Sequence, residues 1–185
     1  MHILTLSTLI IGKCEMCAVL SNLRRTFKSA DLRAAVTKLH AYHRSAYMCE
    51  RLSYADRQFQ ACSSPASYLS SISDGMAQCH CKLPWRANVI DGLCLDQHLQ
   101  GVYFHGRQMI IYRTFHNVPN GGNLGVHTFL LGLEKIYQKE GKLPSTIYHQ
   151  IDGGSENTSK VFIAICELLV VRGLCTKLVI SRYAT

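Results

Sequence analysis

Apolar residues recur at helical spacing in the first third of the chain and at strand spacing over much of the rest. Leu32, Val36, Leu39 and Tyr42 to Ala46 fall three to four residues apart, with Arg33, Lys38 and Arg44 on other faces. That spacing predicts an amphipathic helix. Ser29 or Asp31 is placed to cap its start. Residues 13–62 read as helical, and Cys62-Ser-Ser-Pro65 breaks the pattern.

The remainder alternates between strand and helix periods. Tyr68-Leu-Ser-Ser-Ile72 is a short strand candidate that runs into Asp74-Gly75. His98–His105 and Gln108–Phe115 flank His105-Gly106-Arg107, which predicts a hairpin. Asn120-Gly-Gly-Asn reads as a loop. Residues 126–140 then place Phe129, Leu130, Leu133, Ile136 and Tyr137 on one helical face, and Gly141 stops the helix. Thr146–Ile151 is another strand, residues 159–172 a second helix ended by Gly173, and Lys177–Arg182 a last strand. The order strand, hairpin, helix, strand, helix, strand predicts an α/β fold with a mixed sheet covered by helices. The expected organisation is an N-terminal helical region over residues 1–62 and an α/β core over residues 63–185.

Composition narrows the class. The 185 residues are 48% hydrophobic and 17% charged, a globular balance. The net charge of +8 suits a polyanion partner, but the charge is diffuse. Residues 1–73 carry nine Lys/Arg against four Asp/Glu, and residues 74–185 eleven against eight, so the basic excess lies towards the front. The opening MHILTLSTLIIGK lacks a basic lead and a small-residue cleavage site, so no secretory signal is expected. No run reaches the ~18–20 apolar residues of a membrane span. Nine scattered cysteines without a secretory signal predict free thiols in a reducing, intracellular setting.

Two acids share a local context. Asp74 and Asp152 each follow a short apolar strand and precede glycine. In an open α/β sheet, ligand chemistry gathers at the carboxyl ends of strands. If the first and fourth of these strands are neighbours, the two carboxylates approach one another and suit Mg²⁺ or Mn²⁺. Two such ions about 4 Å apart can activate a water and stabilise the leaving oxygen of a phosphodiester. Glu156 and Asn157 follow as further ligands or supports. The alternative is that Asp-Gly is simply a turn dipeptide.

Cys14-Glu-Met-Cys17 is a CxxC knuckle whose partners could be His40 and His43, three residues apart on one helical face. Thiolates and imidazoles at tetrahedral distances would hold a structural Zn²⁺. The alternative is two half-buried thiols and a surface histidine. Neighbouring residues of a strand point to opposite faces, so Cys79 and Cys81 could share a ligand and His80 could not; the trio reads as incidental, since free cysteine behaves as a small hydrophobe. His98, His105, His116, His127 and His149 read as surface or hydrogen-bonded residues. No nucleophile elbow, Walker loop or dinucleotide fingerprint is present.

Several segments together carry a resemblance. They are Lys13-Cys-Glu-Met-Cys17, Leu39-His40, Glu50-Arg51, Tyr68 to Gln78, Leu83-Pro84, Gly101 to Gly106, Asn117-Val-Pro119, Asp152-Gly-Gly-Ser-Glu-Asn157 and Leu168 to Gly173. In this order the chain resembles an integrase-like domain of transposon-derived eukaryotic proteins. The strand order is similar to the ribonuclease H-like fold of retroviral integrases and DDE transposases. The resemblance implies metal-dependent polynucleotidyl transfer on DNA, with Asp74 and Asp152 as the first two acids and Mg²⁺ or Mn²⁺ as cofactor. Glu156 would support them, and a nuclear location would follow. It favours Cys14, Cys17 and His40 as zinc ligands. The third acid of that superfamily lies beyond a fifth strand, past Ser181-Arg-Tyr-Ala-Thr185, so the sequence is expected to be a fragment with impaired chemistry. Arg24, Arg25, Lys28, Arg33, Lys38 and Arg44 would touch the DNA backbone. The other reading is a non-catalytic nucleic-acid-binding or interaction domain of the same fold.

Overall fold

A computed structural model describes residues 14–76, 81, 83, 94–115, 117–119, 121–151 and 160–182. Two helices come first, α1 (Glu15–Thr26) and α2 (Ala30–Ser63). Then follow β1 (Tyr68–Met76), β2 (Gln97–Phe104), β3 (Gln108–Phe115), α3 (Gly122–Glu140), β4 (Thr146–Ile151), α4 (Lys160–Val171) and β5 (Lys177–Arg182). The chain is mixed α/β with an N-terminal helical region. It divides into two compact units, the first reaching Leu52 and the second beginning at Ser53.

In the first unit, the helical stretch is not continuous. Residues 27–29 break it, and the Ser29 hydroxyl accepts a 3.5 Å hydrogen bond from the Leu32 amide at the start of α2. The apolar stripe expected to be covered is instead open: Leu39 is 53% and Tyr42 75% exposed. The half-buried stripe is Val36, His40, His43 and Tyr47, also at helical spacing but mostly polar. On α1 the half-buried face is Cys14, Cys17 and Ser21, with Leu20 buried.

The second unit is built on a five-stranded sheet in the order β3-β2-β1-β4-β5. β1 pairs antiparallel with β2 and parallel with β4, β2 antiparallel with β3, and β4 parallel with β5. β2 and β3 form the expected hairpin, closed by Gly106 at φ 71°, a left-handed conformation that glycine adopts without a Cβ clash. Gly141 (φ 75°) ends α3 and Gly173 (φ 69°) follows α4 in the same way.

One face of the sheet carries Leu69, Val102, Phe104 and Ile147, which join Phe129, Leu133 and Ile136 of α3 and Phe162 and Cys166 of α4 in the core. The helix expected to begin at Val126 begins at Gly122, and Tyr137, expected on the covered face, is largely exposed. Strand alternation sends Ser70, Ile72 and Asp74 to the opposite face. There the end of α2 makes contact. The Tyr54 hydroxyl lies 2.7 Å from His105 Nε2, Tyr148 donates to Gln60 at 3.4 Å, and Arg57 donates to the Ser181 hydroxyl. These contacts explain why the second unit begins inside α2, ten residues before the break in the sequence pattern at residue 63. At the corner, Arg107 grips Glu140 with two hydrogen bonds of 2.8 and 3.0 Å and reaches the Pro65 carbonyl at 2.6 Å.

Candidate functional site

β1 is the middle strand, and its composition is unusual for that position. Ser70, Ser71 and Ser73 are all buried. Each needs a hydrogen-bond partner there, because a lone buried hydroxyl is costly. Histidines supply them. His149 on β4 places Nδ1 2.8 Å from Ser71 Oγ and Nε2 3.2 Å from Ser73 Oγ. Its ring lies against Phe129 and Phe162, with centroids at 4.1 and 5.5 Å. Burial pushes its pKa down from 6.5 to about 3, so the ring is neutral. On the other face, His105 Nδ1 lies 3.0 Å from Ser70 Oγ, and burial lowers its pKa as well. Both histidines serve the structure, as their satisfied rings require.

Asp74 follows directly after this serine run. The strand does not turn at Asp74-Gly75, as a turn dipeptide would. It continues to Met76, because the ladder to β2 holds Asp74 opposite Gly101 and Met76 opposite Leu99. Asp74 is exposed on the face away from α3 and α4. It borders a hollow of about 420 Å³ whose other walls include Leu99, Tyr103, Met109 and Ile111. Arg113 shares this face and is exposed, two residues beyond Ile111 on β3. Sequence reading passed over Arg113, because only the register β1-β2-β3 puts it on the face of Asp74.

β1 and β4 are parallel neighbours, paired from Tyr68 opposite Thr146 to Ile72 opposite Gln150. Asp152 is the next residue in sequence after the last residue of β4. Asp152, Glu156 and Asn157 lie outside the described residues, as do Cys79 and His80.

The Cys/His knuckle belongs to the first unit. Cys14, Cys17 and His43 bring their donor atoms within 4.8 Å of one another, and Cys14 Sγ lies 3.1 Å from His43 Nε2. His40, the expected ligand, is half-buried on the same helix but is not in this group. The Cys17 thiol is held above its ordinary pKa, first by burial and then by Cys14, while Arg44 opposes the shift. Among the described residues the cysteines are free thiols, with Cys166 and Cys175 buried and Cys49 exposed.

Residues 90–183, just over half of the chain, match the family model described as Domain of unknown function (DUF7869). The chain belongs to this family. The DUF7869 match includes β2, β3, α3, β4, α4 and β5, and its span takes in Asp152 and Glu156. Asp74 and the Cys14, Cys17, His43 group precede the matched span. No curated protein and no solved structure matches the chain. No helix among the described residues is long and apolar enough to cross a membrane.

Proposed function

We propose that this chain is a metal-dependent polynucleotidyl transferase core of the DDE transposase and integrase kind, acting on DNA in the nucleus. The observation that carries the reading is the parallel pairing of β1 with β4 at the centre of the sheet order β3-β2-β1-β4-β5. Counting along the sequence from the pair Ile72 and Gln150, Asp74 and Asp152 each come two residues later. On this reading the two carboxylates would share a cation.

The donor chemistry suits Mg²⁺ or Mn²⁺. Asp74 offers hard carboxylate oxygens on an exposed face, with no thiol or imidazole among the described residues lining the hollow beside it. The bound ions would supply Lewis-acid activation of the attacking oxygen and charge neutralisation at the phosphodiester. Asp74 and Asp152 would hold them, with Glu156 and Asn157 in support. Arg113 offers a cation to the phosphate backbone, and Arg24, Arg25, Lys28, Arg33, Lys38 and Arg44 are all exposed for the same task.

A second reading is a DNA-binding or interaction domain of this fold without catalysis. The apolar walls of the hollow beside Asp74 favour it. Nicking of supercoiled plasmid in Mn²⁺ separates the two. The enzyme reading expects nicking that Asp74→Asn and Asp152→Asn each abolish. Nicking at the same rate in parent and variants removes both acids from the chemistry. An inactive parent that still binds DNA selects the binding domain.

A further inference from the structure

The geometry points to a zinc site in the first unit, made by Cys14, Cys17 and His43, that fastens α1 to α2. This inference is independent of the catalytic reading, which concerns the sheet.

Helix lengths bring the three residues together. α1 has 12 residues and spans about 18 Å at a rise of about 1.5 Å per residue. After the break at residues 27–29 the chain reverses, and His43 lies about 20 Å into α2 by the same rise. The start of α1 therefore arrives beside His43. Cys14 is at the N-cap of α1 and makes no side-chain capping bond, so its sulfur is directed to His43 instead. Cys17 is one turn on, on the same face as Cys14.

The donor atoms fit the ion. Zinc takes thiolate at about 2.3 Å and imidazole at about 2.0 Å, which sets tetrahedral donor separations of roughly 3.5–3.8 Å. The observed group lies within 4.8 Å, with the Cys14–His43 pair at 3.1 Å. Side-chain adjustments of about 1 Å reach the bound geometry on that comparison. Two thiolates and an imidazole select zinc over Mg²⁺ or Ca²⁺, which prefer oxygen. The described residues supply three of the four donors that a tetrahedral ion takes.

Packing gives a second reason for a metal. Leu20 is the one buried side chain on α1. A helix this short is marginal by itself, and burial of one leucine contributes only about 1.5–3 kcal/mol. On α2 the half-buried stripe is Val36, His40, His43 and Tyr47, which is mostly polar. Small units with such thin cores are commonly held by a metal.

The test uses the full chain, purified, stripped with a chelating resin and titrated with Zn²⁺ or Co²⁺ alone. The expected result is one zinc per chain and a Co²⁺ spectrum with tetrahedral bands and thiolate charge transfer. His43→Ala and Cys14→Ser should each weaken zinc by more than about tenfold, since even outer-shell partners cost about that much. His40→Ala should leave affinity unchanged. His43→Cys should keep the metal and add thiolate intensity, which a purely structural histidine would not do, and it decides the matter if His43→Ala does not fold. Absence of stoichiometric zinc, full affinity in both His43→Ala and Cys14→Ser, or loss in His40→Ala equal to that in His43→Ala overturns the site.

Discussion

His149 shows what a buried histidine does to pH dependence. In the folded chain its two ring nitrogens meet Ser71 and Ser73, and burial lowers its pKa from 6.5 to about 3. The unfolded chain takes up a proton near the ordinary value, and the folded chain only near the lowered one. The stability tied to the neutral ring is therefore fully present above the unfolded pKa and is lost as pH falls through the window between the two values. The slope from this group reaches about 1.4 kcal/mol per pH unit. His105, also lowered by burial, acts in the same direction. Urea unfolding between neutral and mildly acidic pH should show this loss, and His149→Gln should flatten the slope whatever it does to absolute stability. An unchanged slope in the variant would mean that the ring is not the titrating group. The histidines read in sequence as surface or hydrogen-bonded residues, and the structure decided for the second at His105 and His149. Their serine partners were not legible, because they lie 76 and 78 residues from His149 and 35 from His105.

Among the elements, α3 depends on one glycine. A Cβ at Gly132 would stand 2.5 and 2.6 Å from two ring carbons of Phe104 on β2. The helix approaches the sheet this closely only because that Cβ is missing. Gly132→Ala gains about 1 kcal/mol of helix propensity but overpacks the core at a cost of about 1–3 kcal/mol. A net loss in thermal unfolding is expected, and Phe104→Leu in the same chain should recover part of it. A stabilised single variant would show that helix and sheet separate freely. The strands and α4 were well marked in the sequence, with β3, β4 and β5 at the expected bounds, because alternation and glycine stops are local signals. α2 was marked as a helix but its covered face was misread. Leu32, Leu39 and Tyr42 are the more apolar stripe, yet they are exposed, and the half-buried stripe holds His40, His43 and Tyr47. The break at residues 27–29 carries no proline or glycine, and its one sequence signal was Ser29 as a cap for the helix that follows.

For the whole molecule, charge is the property that bears on a DNA partner. The chain carries +8, and the six basic side chains from Arg24 to Arg44 named above are exposed on α1, α2 and the turn between them. If about four of them meet phosphates, duplex affinity should fall roughly a hundredfold between about 50 and 200 mM salt. Reversing Arg24 and Arg25 to glutamate should reduce the slope of log affinity against log salt in a fluorescence-anisotropy titration. A slope near zero in the parent would rule out phosphate contacts as the basis of binding.

The sequence by itself determined the class of fold and the order of its elements, because hydrophobic period, capping and glycine stops act over a few residues. It also marked Asp74, Cys14 and Cys17 as residues to follow. Only the tertiary structure decided that β1 and β4 lie side by side, that Asp74 sits within a strand rather than a turn, and that His43 rather than His40 meets the two thiols. Each of those outcomes depends on register between segments far apart in the chain. Register is set by which surfaces bury one another, and no local pattern encodes it.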